Sequence, residues 1–344
     1  MKNYFSLLLI TALAFSLQLN AQTNKEPFLT KNLSASIKNV KVQTSGGGIT
    51  VDGAGEGQTR IEMYVQGNGN NKDLSKEEIQ SRLERDYAIE IITNNQQVSA
   101  IAQQKNRNFN WRDQLSISFK VFVPKNVSTD LNTSGGSISI SNVSGEQDFK
   151  TSGGSLNVAN VKGKINGRTS GGSIQVSDSD SEIDLSTSGG SIAAKDCSGN
   201  IRLNTSGGSL DFKRLKGNLQ AKTSGGSVHG KDIEGDVDAH TSGGNISFGN
   251  MSGSLKASTS GGNINVEMTK LDKFLTLNNS GGNVQLTVPK NQGLDLNLRG
   301  NRVKSTAFTN FSGSMEDDEV KGQMNGGGAQ ITVKGSGNVQ LAFR

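Results

Sequence analysis

Two histidines, one cysteine and the two densest acidic stretches are the first candidates for chemistry in this 344-residue sequence. The acids are Asp178, Asp180, Glu182 and Asp184, then Asp232, Glu234, Asp236 and Asp238. Clustered carboxylates suit glycoside cleavage, in which one acid protonates the leaving group while a second activates water or attacks. Strand-like alternation splits these acids between faces and turns, so a solvated surface is the expectation. His229 and His240 fall in outward columns of different half-repeats with no third ligand nearby, which argues against a zinc centre and a hydrolytic triad alike. Calcium-binding Gly-Gly repeats need an Asp in every turn as a hard oxygen ligand. The equivalent turns here carry Ser or Asn and then an aliphatic residue, so no carboxylate column forms. An ice-binding face wants two outward ranks of Thr on a flat strand, whereas this chain has one rank, at a corner and with inward parity. The sequence therefore predicts no catalytic, cofactor-binding or metal-ligating residues and no cofactor.

The elements that hold these side chains follow a period. Thr-Ser-Gly-Gly begins at Thr133, Thr151, Thr169, Thr187, Thr205, Thr223, Thr241 and Thr259, always at an interval of 18, and Asn279-Ser280-Gly281-Gly282 follows at an interval of 20. Degenerate versions sit at Thr44 to Gly48 and Asn325 to Gly328. At the fifth position after each Thr stands an aliphatic side chain: Ile138, Leu156, Ile174, Ile192, Leu210, Val228, Ile246 and Ile264. Two further on is a second apolar column, from Ile140 and Val158 to Phe248 and Val266, with Gly230 as a gap. Period-two alternation over so short a run reads as a strand. A second half-repeat follows the first, with Ile165, Ile183, Ile201, Leu219, Val237 and Leu255 inward and glycines such as Gly199 and Gly217 in the turn before it. The unit is strand, turn, strand, turn, in two equal halves (9+9). One such unit buries too few side chains to fold alone, so units must stack. The fold class expected is all-β: a parallel β-solenoid or β-helix of stacked 18-residue coils, with irregular β caps and one short N-terminal helix. The paired glycines are expected to supply positive φ and close backbone approach at the corner, and the Thr hydroxyl to bond there.

Composition agrees. Glycine supplies 44 of 344 residues and proline only 3, with Gly not recurring every third position, so collagen is excluded. The formal net charge of +5 includes Lys2, and the remaining +4 is too weak to imply nucleic-acid binding. Residues 1–21 read as an export signal peptide: Lys2 is the positive start, Tyr4 to Leu17 is nearly all apolar, and Ala21 precedes the expected cleavage point. No later stretch is long enough to span a membrane as a helix. An exported chain with one thiol has no internal disulfide, and Cys197 shares its column with Val143, Val161, Leu215, Ile233 and Met251, which predicts a buried, inert thiol near a turn.

Residues 22–130 are expected to form an N-terminal β-rich cap, 131–286 the repeat region and 287–344 a C-terminal β cap. In the first cap, Ser75-Lys76-Glu77-Glu78 is a capping box, Leu74 and Ile79 fit a hydrophobic staple, and Ile79, Leu83 and Tyr87 share a helix face. Trp111 and Phe109 are expected to pack beneath the first coil.

The run Leu115-Ser116-Ile117-Ser118-Phe119-Lys120-Val121-Phe122-Val123-Pro124-Lys125-Asn126-Val127 leads into Leu131-Asn132-Thr133-Ser134-Gly135-Gly136-Ser137-Ile138. With the recurrent Ser-Gly-Gly, it resembles the bacterial "putative adhesin" family, a domain of unknown function with β-solenoid architecture, over roughly residues 34–344. The resemblance implies a cell-envelope or surface role and carries no catalytic residues. The expected function is a secreted, non-enzymatic adhesion or structural scaffold of the periplasm, envelope or cell surface. Its partner would be a cell-surface or cell-wall glycan polymer or another envelope protein, not nucleic acid. The rival is a glycan-active β-helix enzyme, a polysaccharide lyase or hydrolase.

Overall fold

The computed structural model describes residues 26–53, 59–68, 74–94, 96–105, 114–306, 308 and 310–344. The expected signal peptide and the Phe109–Trp111 pair lie outside the described residues. The chain is all-β, with mostly parallel strands in one open sheet and one helix among the described residues. Parallel pairing follows the sequence period: Ile138 pairs with Leu156, Leu156 with Ile174, and Ile174 with Ile192. The second halves pair likewise, Gln147 with Ile165 and Ile165 with Ile183. Early units hold their halves as separate short strands, such as Leu156–Ala159 and Lys162–Thr169. From Ile192 onward each pair of halves runs as one bent strand: Ile192–Asn204, Leu210–Lys222, Val228–Thr241, Ile246–Thr259 and Ile264–Asn279.

Both ladders pass through positions 130 and 286. Asn39–Thr44 pairs in parallel with Ser128–Thr133, and Ile49–Gly53 with Ile138–Ser141, so Thr44 stands beside Thr133 although the two are far apart in sequence. At the far end Phe274–Asn279 pairs with Ala329–Gly335, and Val284–Val288 with Asn338–Phe343. Antiparallel strands then close the edges: Arg60–Gly67 on Leu115–Val123, Tyr87–Thr93 on Gln97–Gln104, and Glu319–Met324 on Leu294–Arg299. The helix, Lys76–Asp86, starts where the capping box predicts: Ser75 is the N-cap and its hydroxyl accepts from the Glu78 amide at 3.2 Å. Leu83 and Tyr87 from its predicted inner face are buried.

The inward columns of both halves merge into one core. Their volumes are balanced between neighbouring units rather than within each. A Cβ at Gly230 would lie 2.4 Å from the Phe248 ring, and one at Gly167 would lie 2.3 Å from the Phe149 ring. Each glycine is the gap into which a neighbour's phenyl ring fits, as a close-packed core requires.

The Thr corner is built as expected. Thr151, Thr169, Thr187, Thr205, Thr223, Thr241 and Thr259 are buried, and each hydroxyl donates at 2.7–2.8 Å to the second corner Gly carbonyl of the unit before it. The same oxygen accepts from the second Gly amide of its own unit, as Thr205 does from Gly208 at 3.3 Å. Asn279 replaces Thr after the longer interval and does the same work: its amide donates to the Gly262 carbonyl while its oxygen accepts from Gly282.

The expected positive φ at these corners is a point the structure corrects. Positive φ falls instead at the other turn, at Gly145, Gly163, Gly199, Gly217, Gly235 and Gly253, and in the column before it, at Asn142, Asn160, Asp178, Asp196, Arg214, Asp232 and Asn250. The corner needs glycine for a different reason. A Cβ at Gly208 would sit 2.1 Å from the Gly190 carbonyl oxygen, because successive corners stack backbone on backbone. The first glycine of each pair has more room: a Cβ at Gly207 would lie 3.4 Å from its nearest neighbour.

Candidate functional site

Side chains at positions i and i+2 of a strand share a face. This rule divides each acid-rich stretch. Asp178 and Asp232 occupy the left-handed corner, with φ of 52° and 58°. Asp180 and Glu234 lie in the following turn and pair with Lys162 at 3.8 Å and Lys216 at 3.1 Å. Glu182, Asp184, Asp236 and Asp238 point outward from the second-half ladder, and the structure brings these four to one groove of about 600 Å³. Glu182, Asn200, Asn218 and Asp236 form one wall, and Asp184, Arg202, Gln220 and Asp238 the other, with Ile183, Ile201, Leu219 and Val237 between them.

The two acid pairs lie on the first and fourth strands of the groove, three inter-strand spacings apart, about 14 Å. Its walls are tied along their length: Arg202 donates to Asp184 at 3.2 Å and to Gln220 at 3.0 Å, and Asn218 donates to Asn200 at 2.9 Å. Neighbouring amides and charges hold each other's rotamers and leave remaining lone pairs and N–H groups facing out.

One end is closed by a feature that the spacing of the repeats foreshadowed. The longer unit, from Thr259 to the position before Asn279, places its extra length at Asp272, Lys273 and Phe274, where the pairing skips from Gly253–Leu271 to Leu255–Leu275. This bulge carries Phe274 to the groove wall, 39% exposed. Gln292 fixes the bulge, because its side chain both donates to the Leu271 carbonyl and accepts from the Leu271 amide. Lys270 also pairs with Asp272 at 2.8 Å, and that hydrogen bond raises the lysine's pKa. Ser254, the neighbour of Asp236 in the wall column, is fully buried opposite the bulge. The longer interval was the signal for this feature; its position within the unit was not readable.

The histidines are kept apart. His229 is exposed on the first-half ladder beside Asp211 and Ser247. His240 belongs to the second-half ladder and lies 2.7 Å from the Ser258 hydroxyl through Nδ1. Among the described residues no three His, Cys, Asp or Glu side chains converge as a metal ion requires. Cys197 is 2% exposed, its thiol lies 3.2 Å from the Lys195 carbonyl, and burial pushes its pKa up. It is a core side chain, as its column predicted.

The first-half ladder has its own outer face, with a hollow of about 430 Å³ floored near Val158, Val176, Ala194 and Phe212. Small side chains, Ala159, Ser177 and Ala193, line it beside the longer Asn157 and Gln175, and Lys195 and Lys213 stand at its edge. At the corner nearby, the Arg214 guanidinium grips Asp196 through two bonds of 2.5 and 2.7 Å and holds that carboxyl below its usual range.

No helix among the described residues is long and apolar enough to cross a membrane. The chain matches no protein-family model and no curated protein. Two solved structures are similar to it. One is a "putative cell adhesion protein" from Clostridium sporogenes, 9% identical, covering 92% of this chain and 98% of that one with a TM-score of 0.20. The other is a "putative adhesin" from Bacteroides fragilis, 10% identical, covering 91% of this chain and 96% of that one with a TM-score of 0.23. The second carries the name of the family that the run from Leu115 to Ile138 resembles.

Proposed function

We propose that the chain is a β-solenoid of stacked 18-residue coils, exported to the bacterial envelope or cell surface, and that it serves as a non-enzymatic adhesion or structural scaffold. Its partner in this reading is a cell-surface or cell-wall glycan polymer or another envelope protein. The observation that carries the reading is the groove spanning residues 182–238. It is long, shallow and tied into rows of amides and charges, and it repeats at one spacing. Such a surface offers a chain-like ligand several similar contacts at once, and affinity then grows with the number engaged rather than with the depth of one pocket. Phe274 at the closed end supplies the kind of apolar ring face on which a sugar stacks.

One observation favours the enzyme reading. Glu182 and Asp184, and Asp236 and Asp238, sit two residues apart on one strand and so line one groove as carboxylate pairs, the residue types that glycoside cleavage uses. Against it, the Asp184 carboxylate is engaged by Arg202, and among the described residues no long loop lines the groove. A panel of neutral and acidic wall polysaccharides incubated with the full chain separates the two. The scaffold reading expects retention of a polymer with no new reducing ends. Release of reducing ends that stops in Glu182→Gln assigns an enzyme, and retention of neither polymer nor any envelope protein refutes the scaffold.

A further inference from the structure

Outward columns of this chain mostly pair a charge with its opposite or with an amide on the next strand. Glu146 meets Lys164 at 2.8 Å, Asp184 meets Arg202 at 3.2 Å, and Lys216 meets Glu234 at 3.1 Å. One column departs from this rule. Lys195, Lys213 and Lys231 are direct cross-strand neighbours in the first-half ladder. Among the described residues, same-sign cross-strand neighbours elsewhere stop at two, as in Lys150–Arg168. All three lysines are exposed. Among the described residues only Lys195 has an ion pair, with Asp196 at 3.7 Å, and Lys213 and Lys231 have none. Like charges directly opposite one another on adjacent strands destabilise a sheet. A row of three at the ~4.8 Å strand spacing therefore opposes folding unless something anionic neutralises it.

The row also has a particular setting. It continues from the hollow of about 430 Å³ lined by Ala159, Ser177 and Ala193, and one carboxylate, Asp211, lines that hollow among the described residues. In the lysines' own column the outward side chains Ser141, Ala159 and Ser177 are small and then give way to the lysines. The combined surface is linear and runs across the strands: a trough whose floor is apolar and whose far edge is cationic. A membrane would meet a broad convex patch, whereas a trough with a charged edge fits a single extended chain.

We propose that the Lys195–Lys213–Lys231 row and the adjoining hollow bind a carboxylate-bearing polysaccharide, with sugar rings lying along the hollow and carboxylates reaching the ammonium groups. The site lies on a different ladder from the groove at residues 182–238. It builds on the polymer-binding reading but stands or falls separately: a chain that binds neutral glycans only through that groove satisfies the reading and refutes this site.

The probe is a polygalacturonate oligomer, titrated into the full chain by calorimetry, with a neutral glucan oligomer of equal length as control. Binding of the acidic oligomer should weaken as salt rises from about 50 to about 200 mM, since exposed charges are screened over that range. The double variant Lys213→Gln/Lys231→Gln should weaken it about tenfold. The melting temperature of this variant should not fall, because removing unpaired like charges costs no contact. Ala193→Leu, which fills the hollow and leaves every charge in place, should also weaken it. Lys164→Gln, whose lysine is already paired with Glu146, should leave it unchanged. Polygalacturonate affinity unaffected by the double variant overturns the site. So does an affinity for phosphatidylglycerol vesicles that exceeds that for the oligomer and is lost in the same variant, which would assign the lysines to a membrane surface.

Discussion

Ser181 occupies a place made for glycine. Its column runs Gly145, Gly163, Ser181, Gly199, Gly217, Gly235 and Gly253, and every member has positive φ, 92° at Ser181 and 108–134° at the glycines. A side chain there sits outside the left-handed well that Asn and Asp tolerate, a strain of about 1–3 kcal/mol. Ser181→Gly removes it. Two effects oppose the gain. The exposed bond from the Ser181 hydroxyl to Asp180, 2.9 Å long, is lost, at a cost of about 0.5 kcal/mol. Glycine also widens the unfolded ensemble by ~0.5–1 kcal/mol. From the middle of the strain range, the net stabilisation is about 0.5–1 kcal/mol, or a rise in melting temperature of roughly 1 °C for a chain of this size. Thermal melts followed by circular dichroism read this directly. Ser181→Ala is the control: it deletes the hydroxyl and keeps the Cβ, so it should give no gain. A melting temperature that falls in the Gly variant, or rises equally in the Ala variant, refutes the strain argument.

The corner glycines should separate cleanly: Gly208→Ala, whose Cβ meets a backbone oxygen at 2.1 Å, should cost more than ~2 kcal/mol in denaturant unfolding, while Gly207→Ala should cost far less. Burial and the hydrogen bond to Glu62 push the Tyr64 phenol up to about 12. Its folded pKa then exceeds the unfolded value of about 10, so its contribution is complete below about pH 10 and lost as pH rises toward about 12; the drop in unfolding midpoint between those pH values should be smaller in Tyr64→Phe. Deleting residues 187–204, one whole 18-residue unit, should leave every inward column in register and retain β-sheet circular dichroism, because neighbour contacts carry the stability. Deleting 187–195 should fare worse, since it sets unlike half-units against each other.

Much of this architecture was legible because its columns repeat. Alternation within a half-unit places Ile138 and Ile140 inward, and the interval between Thr residues sets the neighbour of each. Local chemistry likewise revealed the helix, through the Ser75 cap. Three things escaped. The pairing of Thr44 with Thr133 spans the whole excursion through the first cap, and nothing local encodes so distant a partner. The positive-φ column was written in its residue types, mostly Asn and Asp, which tolerate left-handed backbone, but Arg214 and the neighbouring glycines obscured it. The candidate groove depends on which outward columns flank one another and where the Phe274 bulge lands, and those are properties of stacked strands rather than of any one segment.

The fit of the Phe248 ring against Gly230 reaches beyond packing. Chains with tandem units change length by losing or duplicating one whole unit, and register alone suggests that any unit could go. Steric memory between neighbours says otherwise. Losing residues 187–204 sets Val176 beside Phe212, an aliphatic side chain against an aromatic one. Losing residues 223–240 removes Gly230 and sets Phe212 against Phe248, two rings competing for one space. The array is thus divided into segments that lengthen or shorten freely and segments locked by their neighbours, and variation in unit number among natural versions of such a chain should concentrate in the former.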